Sequence, residues 1–306
     1  MMKKFEDNLV VTVLLITYNS SKYVAETLES IKNQSYPYLS LVITDDCSKD
    51  KTLSICKKWL DCNRDRFVDV DIVESEYNTG ISANVNRGEL VCQTQWVKSI
   101  AGDDLLLPNC IEDNVRYVKA HHDAIVVFSR LLVFGADDSK NRLVESYYDY
   151  KNFSISKDQQ LDLLITNRNF IPAPTCFYDV YKLRTLALSC DERIPLVEDV
   201  PRWINILNHD ISFHFFDKPT VKYRISKSSL SNNPEHISLS FFRSHRLVYY
   251  YYQRDELIKK KGYDEVINED VNFQTSVYEV SLYYGHIFKS KIKILLKNFK
   301  KRFLLW

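Results

Sequence analysis

The sequence contains little glycine, the residue that forms the common phosphate-binding loops. It contains six glycines in 306 residues, and neither a G-x-G-x-x-G nor a G-x-x-x-x-G-K-[ST] pattern occurs. Dinucleotide sites of the Rossmann type and P-loop sites bind phosphate through such glycine-rich loops. Both classes of site are therefore disfavoured.

The cysteine pattern and the net charge argue against three further classes: disulfide-stabilised proteins, zinc proteins and nucleic-acid-binding polycations. The seven cysteines are an odd set without a C-x-x-C pair, which indicates neither a disulfide framework nor a zinc site. A reducing cytoplasm is therefore the expected location. The formal net charge is only +1, so the molecule is not a nucleic-acid-binding polycation and we expect no nucleic-acid partner.

The chain also lacks an apolar run long enough to span a bilayer. Its start imitates a signal peptide, because Lys3 and Lys4 precede the apolar run 9–16. Glu6 and Asp7 interrupt that pattern, however, and no small-residue cleavage site follows. We interpret the run as a buried strand.

Strand and helix patterns alternate through the first half of a chain of ordinary globular composition, 45% hydrophobic and 26% charged. Such alternation predicts an α/β fold, with a mostly parallel sheet and helices on both faces. Ser20 or Ser21 and then Ser48 are expected to cap the first two helices. The predicted strands are 9–17, 39–44, 68–73, 96–101, 124–129, 212–216 and 221–224, with an antiparallel excursion over 131–148. The predicted helices carry or span 24–31, 53–60, 82–92, 109–122, 158–166, 197–209, 236–261 and 264–288.

Polar side chains follow the predicted strands at the points where the strands end. In parallel sheets, ligands bind at the carboxyl ends of the strands. We therefore expect these groups to converge on one rim although they are far apart in sequence. They are Thr17-Tyr18-Asn19, Asp45-Asp46, Asn78 and Asp103-Asp104.

The last of these groups, Asp103-Asp104, stops the apolar run 96–101 abruptly. Adjacent carboxylates at the end of a buried strand repel each other and are poorly solvated. A divalent cation is their natural partner, and hard carboxylate oxygens suit Mg²⁺ or Mn²⁺. The alternative is an Asp-Asp turn that caps the next helix.

Seven short motifs, taken in order and with their spacing, resemble the family 2 glycosyltransferases, which have the GT-A nucleotide-sugar-binding fold. The resemblance runs from Val11 to about Ser231. The motifs are Thr17-Tyr18-Asn19, Asp45-Asp46-Cys47-Ser48, Asn78-Thr79-Gly80, Ala101-Gly102-Asp103-Asp104, Pro172-Ala173-Pro174-Thr175, Glu198-Asp199 with Trp203, and Tyr223-Arg224-Ile225.

The resemblance implies a nucleotide-sugar donor and a set of residues that bind it. Tyr18 would hold the nucleobase, and Asp46 would accept a hydrogen bond from a base N–H. UDP is the expected nucleotide, since an acceptor of this kind suits uracil, although thymine presents the same edge. The implied nucleotide-binding residues are Thr17, Tyr18, Asn19, Asp46, Asn78, Arg87 and Asp103.

The resemblance also implies a metal-dependent, inverting sugar transfer. Asp103 and Asp104 would bind Mn²⁺ or Mg²⁺ across the diphosphate, with Asp103 also touching ribose. Asp199 would be the general base, with Glu198 beside it. The acceptor would be a hydroxyl of a glycan or a lipid-linked saccharide in surface polysaccharide synthesis.

The sequence departs from the family pattern at three positions. Ala101 stands where many members have the first aspartate of Asp-x-Asp-Asp, which leaves open which acid binds the metal. Cys47 replaces a glycine, so the turn there could have a different shape. Ser226 stands where many relatives have histidine, so that metal ligand is not available.

Each motif also has a plainer interpretation when it is taken alone. Asp45-Asp46 with Ser48 fits a turn and helix cap, and Glu198-Asp199 fits a helix dipole. Arg87 fits a solvated or ion-paired helix residue. At the level of function, a sugar-phosphate nucleotidyltransferase and a non-catalytic binding module remain the alternatives.

Three regions are expected along the chain. Residues 1–232 form the GT-A domain, with a nucleotide-binding half over 9–108 and an acceptor half over 109–232. Residues 233–306 form a helical extension, and its basic, apolar tail from Lys289 onward is of the kind that lies on an anionic membrane. Peripheral contact with the inner face of the cell membrane is one interpretation of the tail, and packing on the domain is the other.

Overall fold

A mixed β-sheet forms the centre of the molecule in a computed structural model, which describes residues 9–135, 144–145, 148–166, 168–225, 239–268 and 270. Within these residues the strands are β1 (Val11–Thr17), β2 (Leu39–Asp45), β3 (Val70–Glu74), β4 (Trp96–Ala101), β5 (Leu105–Leu106), β6 (Val126–Gly135), β7 (Val144–Glu145), β8 (Phe177–Asp179) and β9 (Phe213–Ile225). The helices are α1 (Val24–Lys32), α2 (Thr52–Asn63), α3 (Ile81–Val91), α4 (Cys110–Ala120), α5 (Lys157–Ile165), α6 (Val180–Thr185), α7 (Asp199–Asn208), α8 (Leu239–Val248) and α9 (Arg254–Lys261).

The strand order is β3-β2-β1-β4-β8-β6-β9-β5, and β7 pairs with β6. The first four strands are parallel, as predicted. β8 runs antiparallel to both β4 and β6, while β6 and β9 are parallel to each other. β1 lies between β2 and β4 and is buried almost throughout, which explains its nearly continuous apolar sequence.

Helices cover both faces of the sheet, because successive side chains of a strand point to opposite sides. Leu15 and Leu14 of β1 belong to separate core layers. One layer contains buried side chains of α1, α2 and α4, among them Leu28, Cys56 and Val115. The other contains side chains of α5, α6 and α7, among them Leu164, Leu183 and Ile204. The predicted α/β class is confirmed.

Two predictions about strands were wrong. The predicted strands 212–216 and 221–224 are one strand, β9, whose pairing with β6 shifts register around Arg130 and Pro219. Proline cannot donate a ladder hydrogen bond, and the irregularity lets the strand continue past it. The short strands β5 and β8 were missed, since two or three residues show no period.

The predicted serine caps were also wrong. The residue before α1 is Tyr23, and its side chain makes no capping hydrogen bond. Ser20 contributes through its backbone carbonyl, which accepts from Tyr23 and Val24 N–H. Ser48 lies too early to cap α2 and binds Asp45 instead.

The predicted helix 236–261 is interrupted. Within the described residues, α8 and α9 are separated by a π-helical turn at Tyr249–Gln253. None of the helices in the described ranges is long and apolar enough to cross a membrane. The predicted turn at 135–139 lies largely outside the described residues, as do Ser226, the boundary at 232, most of the predicted helix 264–288 and the basic tail.

Helix α3 lies unusually close to the sheet at Gly88. A Cβ at this position would lie 2.5 Å from Leu14 Cδ1 and 3.0 Å from Thr44 Cγ2. The close approach brings the start of α3 to the ends of β1 and β2, where the candidate site lies.

We expect Gly88→Val to lower the free energy of unfolding by about 2 kcal/mol, because the added methyl groups overpack the contact with β1 and β2. Leu90→Val introduces the same residue at a position of α3 that is 74% exposed, and it should have a much smaller effect. Urea unfolding of both variants measures the difference. Equal stability of the two variants would contradict a close-packed Gly88.

Candidate active site

Asp46, at the end of β2, is almost completely enclosed by hydrogen-bond donors of the chain itself. Its carboxylate accepts from Thr79 N–H at 3.0 Å, Thr79 Oγ1 at 2.6 Å, Gly80 N–H at 2.8 Å and Arg87 Nη2 at 3.0 Å. Asp46 is 3% exposed. The carboxylate therefore joins the end of β2 to the start of α3.

This network bears on the predicted contact between Asp46 and a base N–H. Donors from Thr79, Gly80 and Arg87 already occupy both carboxylate oxygens. The direct contact with a base stays a prediction. In this arrangement Asp46 positions the segment 78–80, whose own Asn78 is exposed.

Asn84 is a residue of this network that sequence reasoning missed. Its Nδ2 donates to the carbonyl of Thr17 at 3.2 Å, and its Oδ1 accepts from Thr44 Oγ1 at 2.7 Å and from Arg87 Nη2 at 3.0 Å. Arg87 is thus ion-paired with Asp46, as the plainer interpretation of that residue had it. Asn84 lies on the buried side of α3, with 2% exposure. A polar residue on that side of the helix was the sequence feature that could have identified it.

The turn after β1 presents an aromatic ring beside an unusual backbone. Tyr18 is 48% exposed, and Asn19 is in the left-handed region with φ 49°. Asn19 binds the next turn through its N–H, which donates to Ser48 Oγ at 2.8 Å. Thr17 lies below this surface, and its hydroxyl donates to Asp45 Oδ2 at 2.7 Å.

Cys47 keeps a backbone shape that favours glycine, with φ 64°. The replacement of the usual glycine therefore strains this residue, since a side chain is disfavoured in the left-handed region. Its thiol donates to the carbonyl of Glu76 at 3.1 Å, which joins the turn to the loop that leads to Asn78.

The Asp103-Asp104 turn follows β4 and is fixed from two sides. Gly102 N–H donates to the carbonyl of Ile16 at 2.9 Å, and a Cβ on Gly102 would lie 2.8 Å from Ser20 Oγ. On the other side, the N–H of Arg224 donates to Asp104 Oδ1 at 2.8 Å, while its Nε donates to the carbonyl of Asp103 at 2.7 Å.

Arg224 is therefore a site residue to which the sequence assigned no role, although its motif was noted. Its Nη2 donates to Glu26 at 2.8 Å, and its guanidinium lies 4.2 Å from the centre of the Tyr23 ring and 4.4 Å from that of Phe134. This buried arginine holds the acid turn from β9, 120 residues later in the chain.

The two acids of the turn have unfavourable surroundings for negative charge. Burial raises the pKa of Asp104 well above its usual value, and the neighbouring Asp103 raises it further. Burial also raises the pKa of Asp103, while Arg224 opposes the rise. A cation between the acids would stabilise their charged forms.

The two carboxylates suit a hard divalent cation whose remaining ligands come from phosphate. Among the described residues, the Asp104 carboxylate accepts a hydrogen bond only from Arg224 N–H. The described residues contain no group of three or more side chains that could bind a metal. The protein thus offers two carboxylates, and Mg²⁺ usually binds through one or two carboxylates together with substrate phosphates.

Glu198 and Asp199 stand at the start of α7. Asp199 accepts from Val200 N–H at 2.7 Å and from Asn169 Nδ2 at 3.4 Å, whereas Glu198 makes no side-chain capping hydrogen bond. Burial raises the pKa of Asp199. Burial raises the pKa of Glu198 to about 8, and the charge of Asp199 adds to the rise.

The segment before Glu198 packs against the start of α3. Ser82 donates to the carbonyls of Ile194 and Pro195, at 2.5 Å from Oγ and 3.3 Å from N–H. Gly80, itself bound to Asp46, has φ 91°, and Pro195 leaves no room there for a Cβ. The segments that carry Asp46 and the second acid pair are therefore neighbours.

Lys98 joins β4, the strand that precedes the acid turn, to the proline segment that begins at Pro172. This fully buried lysine of β4 donates from Nζ to the carbonyls of Pro174 at 2.6 Å and Cys176 at 3.2 Å. Burial lowers its pKa, and Asp104 partly offsets that effect. Asn169, which binds Asp199, precedes the proline segment by three residues. Lys98 thus joins β4, the strand before the acid turn, to the proline segment, and Asn169 joins Asp199 to the chain just before that segment.

The sequence and the fold of the chain are similar to those of known proteins. Residues 12–182 match the sequence model of Glycosyl transferase family 2. An uncharacterized glycosyltransferase of Methanocaldococcus jannaschii is 24% identical over 297 residues, covering 96% of each chain. The poly(ribitol-phosphate) beta-N-acetylglucosaminyltransferase TarS of Staphylococcus aureus is 28% identical over 119 residues, which are 38% of this chain and 20% of TarS.

Solved structures show the same fold. TarS residues 1–349 in complex with UDP-GlcNAc align with a TM-score of 0.56 at 21% identity, covering 78% of this chain and 65% of that one. The mannosyltransferase PcManGT of Pyrobaculum calidifontis, in complex with GDP-Man and Mn²⁺, aligns with a TM-score of 0.53 at 16% identity, covering 77% and 64%. The predicted GT-A fold is confirmed, and the chain spans just under two thirds of these solved structures.

We expect Asp46→Asn to lower the free energy of unfolding by about 3 kcal/mol, because it leaves Arg87, whose side chain is 23% exposed, without its charged partner and turns a buried amide toward backbone N–H groups. Glu74→Gln is the matched control, since it breaks the exposed ion pair with Lys57, which should contribute no more than about 1 kcal/mol. Denaturant unfolding measures both effects. A loss for Asp46→Asn as small as that of the control would contradict the network.

Proposed function

The chain belongs to the family 2 glycosyltransferases, and on this premise we propose that it transfers a sugar from a nucleotide-diphosphate sugar to an acceptor hydroxyl, with inversion at the anomeric carbon. The observation that carries the proposal is that long-range contacts fix the segments of both acid pairs. Arg224 fixes the turn of Asp103-Asp104, while Ser82 and Asn169 bind the segment of Glu198-Asp199. Two such pairs can divide the chemistry, one toward the leaving group and one toward the acceptor.

Family membership favours this reaction over the alternative of nucleotidyl transfer. That alternative typically uses a glycine-rich, arginine-containing loop after the first strand, whereas here the loop is Tyr18-Asn19-Ser20-Ser21-Lys22. A purely binding role gives no account of a half-buried acid pair with raised pKa values at the start of α7. Release of pyrophosphate from a nucleoside triphosphate would instead identify a nucleotidyltransferase.

The proposed donor is a UDP-linked sugar. TarS residues 1–349 have been solved with UDP and with UDP-GlcNAc, which supports uridine for this chain. The exposed ring of Tyr18 offers a flat face on which a base can stack. Thr17, Asn19, Asn78 and Arg87 would complete the donor site, and Asp103 would reach the ribose.

Asp103 and Asp104 would hold Mn²⁺ or Mg²⁺, which neutralises the negative charge that develops on a leaving diphosphate. The Mn²⁺ in the PcManGT complex supports a divalent cation. This chain's own contribution is to fix the conformation of the turn that carries the two acids. Arg224 does so through its N–H and Nε, with Glu26 holding the guanidinium in place.

Asp199 would take the proton of the acceptor hydroxyl as the new bond forms. Its raised pKa makes it a stronger base than an ordinary aspartate. Glu198, with a pKa of about 8, keeps its proton at neutral pH, so Asp199 carries the charge of the pair. Attack from the face opposite the leaving diphosphate gives inversion.

The proposed acceptor is a hydroxyl of a glycan or of a lipid-linked saccharide in surface polysaccharide synthesis. The relatives support this class, since TarS glycosylates poly(ribitol-phosphate) by name, and a matching Bacillus subtilis protein is a putative teichuronic acid biosynthesis glycosyltransferase. The reaction is proposed for the cytoplasm. We also propose the domain boundaries given above, with the tail from Lys289 onward making peripheral membrane contact.

We expect Asp199→Asn to reduce sugar transfer by about 10³-fold, because the variant cannot accept the hydroxyl proton. Binding of UDP with Mn²⁺, measured by thermal shift, should stay near that of the wild type. Transfer is measured as UDP release from a panel of UDP-sugars in the presence of acceptor.

Asp158→Asn is the matched control, since Asp158 is an exposed acid in the first turn of another helix, α5. It should leave transfer unchanged. Full activity of Asp199→Asn would show that the base is another group.

The pH dependence should report both acids at α7. Activity should fall on the acid side as Asp199 gains a proton, at a pH above the usual aspartate range because burial raises its pKa. On the alkaline side, ionisation of Glu198 near pH 8 places a second negative charge beside Asp199 and should alter kcat.

Glu198→Gln tests this assignment, because glutamine resembles the protonated acid. The variant should keep most of its activity at neutral pH and lose the change near pH 8. A profile of kcat against pH for both proteins is the measurement. An unchanged alkaline limb in the variant would exclude Glu198 as its source.

A further inference from the structure

Helix α3 carries a polar stripe that binds the segment leading into α7. The stripe consists of Ser82, Asn86 and Glu89, which lie on one side of the helix because they are spaced i, i+4 and i+7. Asn86 exchanges two hydrogen bonds with the backbone of Cys190, both at 2.9 Å. Ser82 holds Ile194 and Pro195, as described above, and Glu89 holds α7 itself.

Glu89 and Arg202 form a two-point ion pair between the helices. Arg202 Nη1 lies 2.7 Å from Glu89 Oε1 and Nη2 lies 3.1 Å from Oε2. Each side chain is 5% exposed. Tyr178 donates from its hydroxyl to Glu89 Oε1 at 2.6 Å, and Arg202 Nε donates to the carbonyl of Leu188 at 3.1 Å.

Stability alone does not account for this pair. Replacing a buried ion pair by apolar side chains of similar size is often neutral or stabilising, because desolvation of the two charges is costly. The two helices already contribute buried apolar side chains to the core, including Val85, Val200 and Trp203. A planar guanidinium bound at two points does, however, fix direction as well as distance.

The position of Arg202 on α7 gives that directional constraint a consequence. Arg202 follows Asp199 by three residues, so the two side chains lie on neighbouring parts of one helix face. The rotation of α7 that places Arg202 on Glu89 therefore also sets the direction of Asp199. Helix α3 binds Asp46 through Arg87, and the N–H of Gly80, just before the helix, also donates to Asp46.

We propose that Glu89 and Arg202 are a positioning pair, which fixes α7 on α3 so that Asp199 points to the donor held at the start of the same helix. The inference rests on the proposed role of Asp199 as the base. Neither residue of the pair touches substrate; both act through the placement of α7.

The test compares Glu89→Gln with the double variant Glu89→Gln/Arg202→Gln. The single variant leaves a buried arginine unpaired and is expected to fold poorly. The double variant buries no charge and retains hydrogen-bonding groups, but glutamine is shorter than arginine at position 202 and cannot reproduce the guanidinium–carboxylate contact. We expect it to fold, with kcat reduced by about 10- to 100-fold, the loss that a base displaced by about 1 Å brings.

The readout that separates positioning from folding is the split between kcat and donor binding. The variant leaves Asp46 and its partners Gly80 and Arg87 unchanged, so the KM for the UDP-sugar and the affinity for UDP should stay near those of the wild type. Glu112→Gln/Arg116→Gln removes an exposed ion pair of α4 in the same way and should change none of these quantities.

Three outcomes decide the inference. A folded double variant with reduced kcat and wild-type UDP affinity supports it. Unchanged kcat in a folded double variant overturns it, and so does a parallel loss of kcat, UDP affinity and melting temperature. Asp199→Asn, assayed beside these proteins, shows whether a failure belongs to the pair or to the proposed base.

Discussion

The site depends most on the hydrogen bonds that the buried carboxylate of Asp46 accepts. Asp46 directly follows β2, and it accepts hydrogen bonds from the loop and helix that follow β3. A buried carboxylate without partners is costly, so the surrounding donors have to remain in place while Asp46 is charged. The shape of segment 78–80 and the orientation of Arg87 follow from that requirement.

Helix α3 passes this constraint on to the rest of the site. Gly88 lets it approach β1 and β2, Asn84 binds the ends of both strands, and Ser82 holds the segment that precedes α7. One helix therefore fixes the strand ends on one side and the Glu198-Asp199 pair on the other. The acid turn at Asp103 is held separately, from β9.

The elements that could be predicted have a local pattern of apolar residues in the sequence. The buried strands β1 and β4 are apolar runs, and the stripe of α1 recurs at helical spacing, so both were predicted close to their observed bounds. Contacts between distant segments leave no such signal. Nothing in the local sequence shows that Arg224 reaches Asp103, or that Lys98, within an apolar strand, reaches the carbonyls of the proline segment.

The hold of Arg224 on the acid turn has a consequence for biosynthesis. A nascent chain contains all of the first four parallel strands long before the ribosome has added β9, so the sheet can begin to form while the turn at Asp103-Asp104 still lacks its clamp. The turn therefore gains these contacts only after translation has passed residue 224.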